Sequence, residues 1–345
     1  MKVNVKKRGA AILMLAMLLI VAAGCGQGNS NGSAAGQGPA SAGAAGGEAS
    51  PAASDAGQQA ADAAAAVRKV KHEMGETEIT GTPKRIATLY QGANDAAVAF
   101  GIKPAGIVES WEEKPVYEYL RKDLEGVPLL GEENQPNLEE LYKLKPDVIF
   151  ATKTRHEEIY DQLSQIAPTV MIGEVYDWKA TVRLMGDALN QTDEADRLLA
   201  DWDARTADFK KKMGDRLPME ATITNFRADH ARIFYMGYGG SLLKDLGFTR
   251  PPGHDEDIWG VKLTSKESIP DMNADVIFNF NSGDDKAAVE KYYQEWTSHP
   301  LWKNLDAVKN GQVHMVNEVD WNMAGGILSA HRALDSLYEM YGLAK

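Results

Sequence analysis

Two similar α/β lobes joined by a helical segment are predicted by three features of the chain. Short apolar strands alternate with helical patterns through residues 84–173 and again through 221–345, the signature of parallel βα units. One phrase is written twice: "LEELYKLKPDVIF" (138–150) and "KESIPDMNADVIF" (266–278) each place a Glu eight residues before an Asp-Val-Ile-Phe run. Between the two copies, residues 178–213 read as helix alone. The expectation is an α/β protein of two Rossmann-like lobes with central parallel sheets. One long helix links them, and a ligand cleft lies between them.

The first residues are not fold. Lys2, Lys6, Lys7 and Arg8 precede the apolar run "AAILMLAMLLIVAAG" (10–24), a pattern of secretory signals. The run is short for a membrane span, which needs ~20 residues. It ends at Cys25, the single cysteine of the chain. "AAGC" resembles a bacterial lipobox, in which the thiol is lipidated after cleavage, although Ala22 stands where Leu is usual. Residues 25–66 are mostly Gly, Ala, Ser and Gln, too poor in large apolar side chains to offset their ordering entropy. They read as a tether of roughly 35 Å.

In the first lobe (67–177), "KRIATLY" (84–90) is a strand, "DAAVAFG" (95–101) a helix stopped by Gly101, and "PAGIVES" (104–110) a second strand. "PNLEELYKLK" is a short helix, with Asn137 as N-cap and Glu140 at the capping-box position. "PDVIFAT" (146–152) is a buried strand, "RHEEIYDQLSQIA" (155–167) a helix and "PTVMIG" (168–173) a strand. Asn190-Gln191 breaks the linker (178–213), and Thr192 can cap its second part. The second lobe (214–345) then repeats the first: "ARIFYMGYGG" echoes "RIATLYQG", and "SLLKDLGFTRPPG" echoes "AVAFGIKPAG". Gly101 and Gly247 are 146 apart while Glu139 and Glu267 are 128 apart, so the second copy is shorter by 18.

The net charge of −12 becomes −16 once the four positive charges of residues 1–24 are removed, a poor match to nucleic acid or anionic lipid. No Gly-x-Ser-x-Gly elbow, phosphate loop with Lys or catalytic Cys is present, which argues against an enzyme. Sheets of this kind bind ligands at the carboxyl ends of their strands. Arg155 follows a strand there, at a helix start where its charge opposes the dipole. Its alternative role is an i,i+3 pair with Glu158. Tyr90, Gln91 and Tyr238 follow first strands of the two lobes. Trp111, Trp259 and Trp321 fall in loops near strand ends, and Asn322 is beside the last of them. Each aromatic has the alternative of being core.

The stretches "PNLEELYKLKPDVIFA", "RHEEIYDQLSQIAPTV", "FRADHARIFYMGYGGSLLKDLGFTRPP" and "WNMAGGILSAHRALDSLY" resemble the helix-linked substrate-binding lipoproteins of ABC importers for ferric siderophores, a family with cobalamin and haem binders. The resemblance covers nearly all of 80–345 and is greatest for hydroxamate or citrate-type carriers. It implies a monomer of two lobes with a rigid linking helix and small lobe motions, no cofactor and no chemistry of its own. Its cargo is a ferric complex, and its partners are permease subunits with an ATPase behind them. Lipid-anchored, it works on the outer face of a bacterial membrane. Iron is held through the siderophore, not by protein ligands. Arg227 aligns with an Arg used on the siderophore by many members, and Asn225 stands where another Arg is often found. Glu139 and Glu267 match the acids that dock into arginine pockets of the permease. Two other cargoes stay open. Haem or cobalamin is one, for which Tyr90 or Tyr238 offers an axial ligand. Bare zinc or manganese is the other. None of the seven histidines stands in a spaced pair, and His156 is the single cleft candidate.

Overall fold

The computed structural model describes residues 66–256 and 258–345. The readings on residues 1–65 (signal, Cys25 and most of the tether) lie outside the described residues.

The described chain opens with a hairpin. Strands β1 (Val67–His72) and β2 (Gly75–Thr80) pair antiparallel. The Arg68 guanidinium donates to the Ala188 carbonyl at 2.8 Å, and Thr77 Oγ1 donates to the Thr169 carbonyl at 2.9 Å. The first bond fastens the hairpin to the linking segment and the second to the first sheet.

The first sheet holds β3 (Ile86–Thr88), β4 (Gly106–Glu109), β5 (Leu129–Glu132), β6 (Gln135–Pro136), β7 (Val148–Thr152) and β8 (Thr169–Ile172), in spatial order β6-β5-β4-β3-β7-β8. All pairs are parallel except β5–β6. The central strands β3, β7 and β8 are buried along their whole length, as strands covered on both faces must be. Helix α1 (Gln91–Ala99) begins immediately after β3, four residues before the expected start. The short helix α2 (Leu138–Leu144) is capped by Asn137, whose side chain accepts from the backbone N–H of Glu139 and Glu140, and α3 (Tyr160–Ile166) leads into β8.

The chain then leaves the first sheet through α4 (Trp178–Leu189) and α5 (Thr192–Met213). Asn190 in the left-handed conformation (φ 56°) makes the break between them. Helix α5 has 22 residues, about 33 Å at 1.5 Å per residue.

The second sheet contains β9 (Ala221–Phe226), β10 (Ala231–Phe234), β11 (Gly260–Leu263), β12 (Val276–Asn281) and β13 (Val313–Met315), ordered β11-β10-β9-β12-β13. The pairs β9–β12 and β12–β13 are parallel, whereas β10 is antiparallel to both β9 and β11. The echo between the lobes is therefore incomplete. The tight turn at Arg227–His230 folds β10 back on β9 where the first lobe has a helix crossover. Helices α6 (Tyr238–Asp245), α7 (Lys286–Thr297) and α8 (Ile327–Met340) complete the chain. Among the described residues no helix is long and apolar enough to cross a membrane.

One buried cluster runs through both sheets. It joins Ile86 and Phe150 of the first to Ile223 and Phe278 of the second, through Trp178, Trp202 and Phe209 of the connecting helices and Leu334 of α8. Each such side chain contributes about 1.5–3 kcal/mol on burial. A second tie is polar. Asp95 on α1 accepts from the Leu328 and Ser329 backbone N–H at 2.8 and 3.0 Å, at the head of α8, and from Tyr119 Oη at 2.6 Å. Gly326 permits this approach, since a Cβ there would overlap the Asp95 carboxyl.

Candidate ligand cleft

A cleft of about 600 Å³ opens between the two sheets. Its first wall is made where strands of the first sheet end. Gln91 and Gly92 follow β3, Trp111 follows β4, Glu133 follows β5, Arg155 follows β7, and Glu174 and Tyr176 follow β8. This is the parallel-sheet geometry that leaves strand ends free for a ligand. The second wall is mostly apolar and differently built: Phe234 ends β10, Met236 and Tyr238 follow it, Trp259 precedes β11, and Asn322 and Met323 come after β13.

Arg155 is 36% exposed, and its Nε lies 3.4 Å from Glu133 Oε1. Its ion partner is thus Glu133 across the wall, not Glu158 along its own helix. The Glu133 carboxyl is 3% exposed. Burial pushes it up from the usual carboxylate range, against the pull of the Gln91 N–H, Arg155 and the Trp111 indole. Gln91 donates its backbone N–H to Glu133 Oε2 at 3.1 Å and its side-chain amide to the Glu109 carbonyl at 2.7 Å. Trp111 and Trp259 are among the exposed large apolar side chains, facing the cleft from opposite walls. The Arg232 guanidinium lies 5.8 Å from the Trp259 ring centre.

Of the residues expected at the site, Gln91, Trp111, Arg155, Tyr238, Trp259 and Asn322 are brought together as lining. Three are placed elsewhere. Tyr90 is fully buried under the first sheet, its hydroxyl 2.9 Å from Thr181 Oγ1. Trp321 is 2% exposed and packs on Phe278 with ring centres 4.7 Å apart. Both belong to the core, where apolar area is worth more than at a rim. Arg227 ends β9. Because β10 runs back antiparallel, Phe234 lies opposite Ile223, four residues before Arg227. Arg227 sits instead in the field of Glu318 and Arg232. Burial pushes the Glu318 carboxyl up to about 7, with Ser282 and Arg227 pulling the other way.

The axial-ligand role considered for two tyrosines meets a physical obstacle. Tyr90 is sealed in the core, and the Tyr238 hydroxyl is engaged by the Gly326 carbonyl and Ser329 Oγ. His156 is occupied at both ring nitrogens: Nδ1 accepts from the Thr152 N–H at 3.1 Å, and Nε2 bonds the Glu133 carbonyl at 2.8 Å. Among the described residues no group of three or more His, Cys, Asp or Glu is arranged to hold a metal ion.

Glu133, Glu174, Tyr176, Met236 and Met323 line the cleft without having been singled out in the sequence. Glu133 stands in a polar turn, "EENQ", whose local pattern carries no sign of the cleft. The strand-end rule, applied to β5 as it was to β7, is the one signal that leads to it.

Away from the cleft, Glu139 and Glu267 each occupy the second position of a short helix capped by Asn137 or Ser265. Glu139 is 77% exposed and pairs with Lys143 at 2.7 Å. Glu267 is also exposed, on a 3-10 turn.

Three kinds of similarity agree with this architecture. The family model described as "Periplasmic binding protein" matches residues 86–318, from β3 to beyond β13. A probable siderophore-binding lipoprotein of Bacillus subtilis (strain 168), YfiY, is 42% identical over 285 residues, which are 80% of this chain and 88% of that one. The achromobactin-binding periplasmic protein of Dickeya dadantii (strain 3937) is 44% identical over 268 residues, 76% and 88% of the two chains. The crystal structure of Staphylococcus aureus SirA complexed with staphyloferrin B superposes with a TM-score of 0.77 at 50% identity, covering 80% of this chain and 99% of SirA. With a family model spanning both sheets and relatives above 40% identity along most of its length, this chain belongs to the periplasmic binding protein family.

Proposed function

We propose that this protein captures a ferric siderophore of the carboxylate or hydroxamate type in the cleft between its sheets and delivers it to the permease of an ABC importer. The observation that carries the reading is the cleft itself. It is open, walled by Trp111 and Trp259, and supplied with the Arg155 guanidinium at a strand end. It occurs in a chain half identical to a protein solved with staphyloferrin B. A guanidinium suits carboxylate and hydroxamate oxygens because its planar fork makes paired, permanently charged hydrogen bonds. The aromatic walls suit the partly apolar rim of such a complex.

In this reading the protein is a carrier and not a catalyst. Iron enters and leaves as part of its siderophore. The chain works as a monomer of two lobes, 67–177 and 214–345, linked by 178–213 and held by lipidated Cys25 at the outer face of the membrane. Glu139 and Glu267 meet basic pockets on the two permease subunits, which move the cargo with the cytoplasmic ATPase. Long-range attraction between such charges orients an encounter more than it tightens it.

The test is a tryptophan-fluorescence titration of the soluble, tether-free protein with ferric staphyloferrin B, ferric citrate, a ferric hydroxamate, a ferric catecholate, haem and cobalamin. Saturable quenching by a carboxylate or hydroxamate complex, at concentrations where haem and cobalamin give none, is expected. Saturation by haem or cobalamin alone would overturn the reading.

A further inference from the structure

A carboxylate buried in the wall of a cleft for an anionic complex is electrostatically the wrong sign. Glu133 is nevertheless there, with both oxygens turned to the same wall. Oε1 faces Arg155 Nε at 3.4 Å, and Oε2 takes the Gln91 N–H at 3.1 Å. The Glu133 carbonyl also fixes the ring of His156, the neighbour of Arg155. One residue thereby touches two of the cleft's lining groups and the turn that carries Arg155.

The edge of the guanidinium that Glu133 holds matters. A guanidinium offers a carboxylate two useful edges, one through Nε and one through the two terminal nitrogens. With Nε committed to Glu133, the terminal edge is left, and those nitrogens have no partner among the described residues. We propose that Glu133 is a positioning residue for cargo capture: it clamps Arg155 by Nε while itself held by the Gln91 N–H, so that the terminal edge of Arg155 is presented to the cargo as a preset fork. This rests on the reading of the cleft as a site for an anionic ferric complex.

The proposal has a sign opposite to that of simple electrostatics. Neutralising Glu133 removes a negative charge from beside the cargo, and Coulomb attraction alone would then tighten binding. Under the clamp account binding weakens. In Glu133→Gln the amide has one acceptor oxygen for the two donors Gln91 N–H and Arg155 Nε, so Arg155 is released to sample several rotamers. Affinity for ferric staphyloferrin B should fall about threefold to tenfold, the order expected for losing pre-organisation of one charged hydrogen-bonding group.

The experiment is a double-mutant cycle on the soluble protein: wild type, Glu133→Gln, Arg155→Ala and the pair, each titrated with ferric staphyloferrin B. The expected result is the stated loss for Glu133→Gln in the wild-type background and less than about a twofold change in the Arg155→Ala background. Glu133→Asp, which keeps the charge but withdraws it by a methylene, should also weaken binding. Tightening by Glu133→Gln, or the same loss in both backgrounds, would overturn the proposal while leaving Arg155 in the site. Wild-type affinity in Arg155→Ala would overturn the proposal together with the role of Arg155. A cargo-free readout stands beside the cycle. The Arg155 Nε–H signal in NMR should exchange with water several-fold faster in Glu133→Gln, and an unchanged rate would equally overturn the clamp.

Discussion

A guanidinium at the head of a helix meets unpaired backbone N–H groups and the positive end of a dipole. Arg155, the third residue of the four-residue helix Lys153–His156, tolerates its place near such a start because Glu133 supplies the counter-charge from the end of β5. What remains of its charge faces the cleft. Arg155→Ala should therefore weaken a carboxylate-bearing ferric complex by roughly tenfold to a hundredfold, from the ~1.5–3 kcal/mol of a hydrogen bond to a charged group. Arg227→Ala should cost less, because Arg227 lies at the far end of the β9–β10 hairpin. Calorimetric titration of the two variants checks the order, and a larger loss for Arg227 would move the site towards that end. Glu318 allows a test by pH. Its ordinary value is 4.5 and burial holds it at about 7 in the folded protein. A raised carboxyl contributes stability that is complete below pH 4.5 and lost as pH rises through about 7. Glu318→Gln should remove that slope and exceed the wild type above pH 7 by up to ~2–3 kcal/mol. Urea melts at pH 4.5, 6 and 8 measure it, and parallel curves for the two proteins would refute the assignment.

Elements differ in how openly their sequences declare them. The helices at Asn137 and Ser265 are legible because a cap is a local bargain between one side chain and the next turn. The break at Asn190 is legible for the same reason. The β9–β10 hairpin is not, since "NFRADHAR" suits a loop before a helix as well as a turn between antiparallel strands. At the site, Trp111 and Trp259 could not be told from Trp321 by loop position, because burial is decided by what packs over a ring. Nor does any local pattern show that α1 and α8, more than two hundred residues apart, meet through Asp95. Asp95→Ala would leave the Leu328 and Ser329 N–H groups and the Tyr119 hydroxyl without their acceptor. A loss of ~2–4 kcal/mol is expected in urea unfolding, against under ~0.5 kcal/mol if the contact is incidental. The paired acids should behave in the opposite way. Glu139→Ala with Glu267→Ala should cost no more than ~2 kcal/mol of stability and leave cargo affinity within about twofold. Iron uptake through the cognate permease should nevertheless fall sharply. Normal uptake at wild-type protein levels would reduce both acids to helix-start residues.

For the whole molecule, the continuity of the buried cluster sets the scale of motion. The two sheets share Trp178, Trp202, Phe209 and α8 side chains in one core, and the Asp95 tie crosses the same boundary. Packed interiors resist continuous deformation, so a swing of one sheet away from the other would have to break apolar contacts worth several kcal/mol. The cleft must then accept its cargo largely preformed, with side chains such as Trp111 and Trp259 making the adjustment. The direct test of that claim is anomalous X-ray scattering at the iron edge from crystals of the soluble protein grown with ferric staphyloferrin B. The account predicts one iron peak inside the cleft, between Trp111 and Trp259 and within reach of Arg155 through the siderophore, with no protein atom coordinating the metal. A peak outside the cleft, or an iron bound directly by protein side chains, would contradict it.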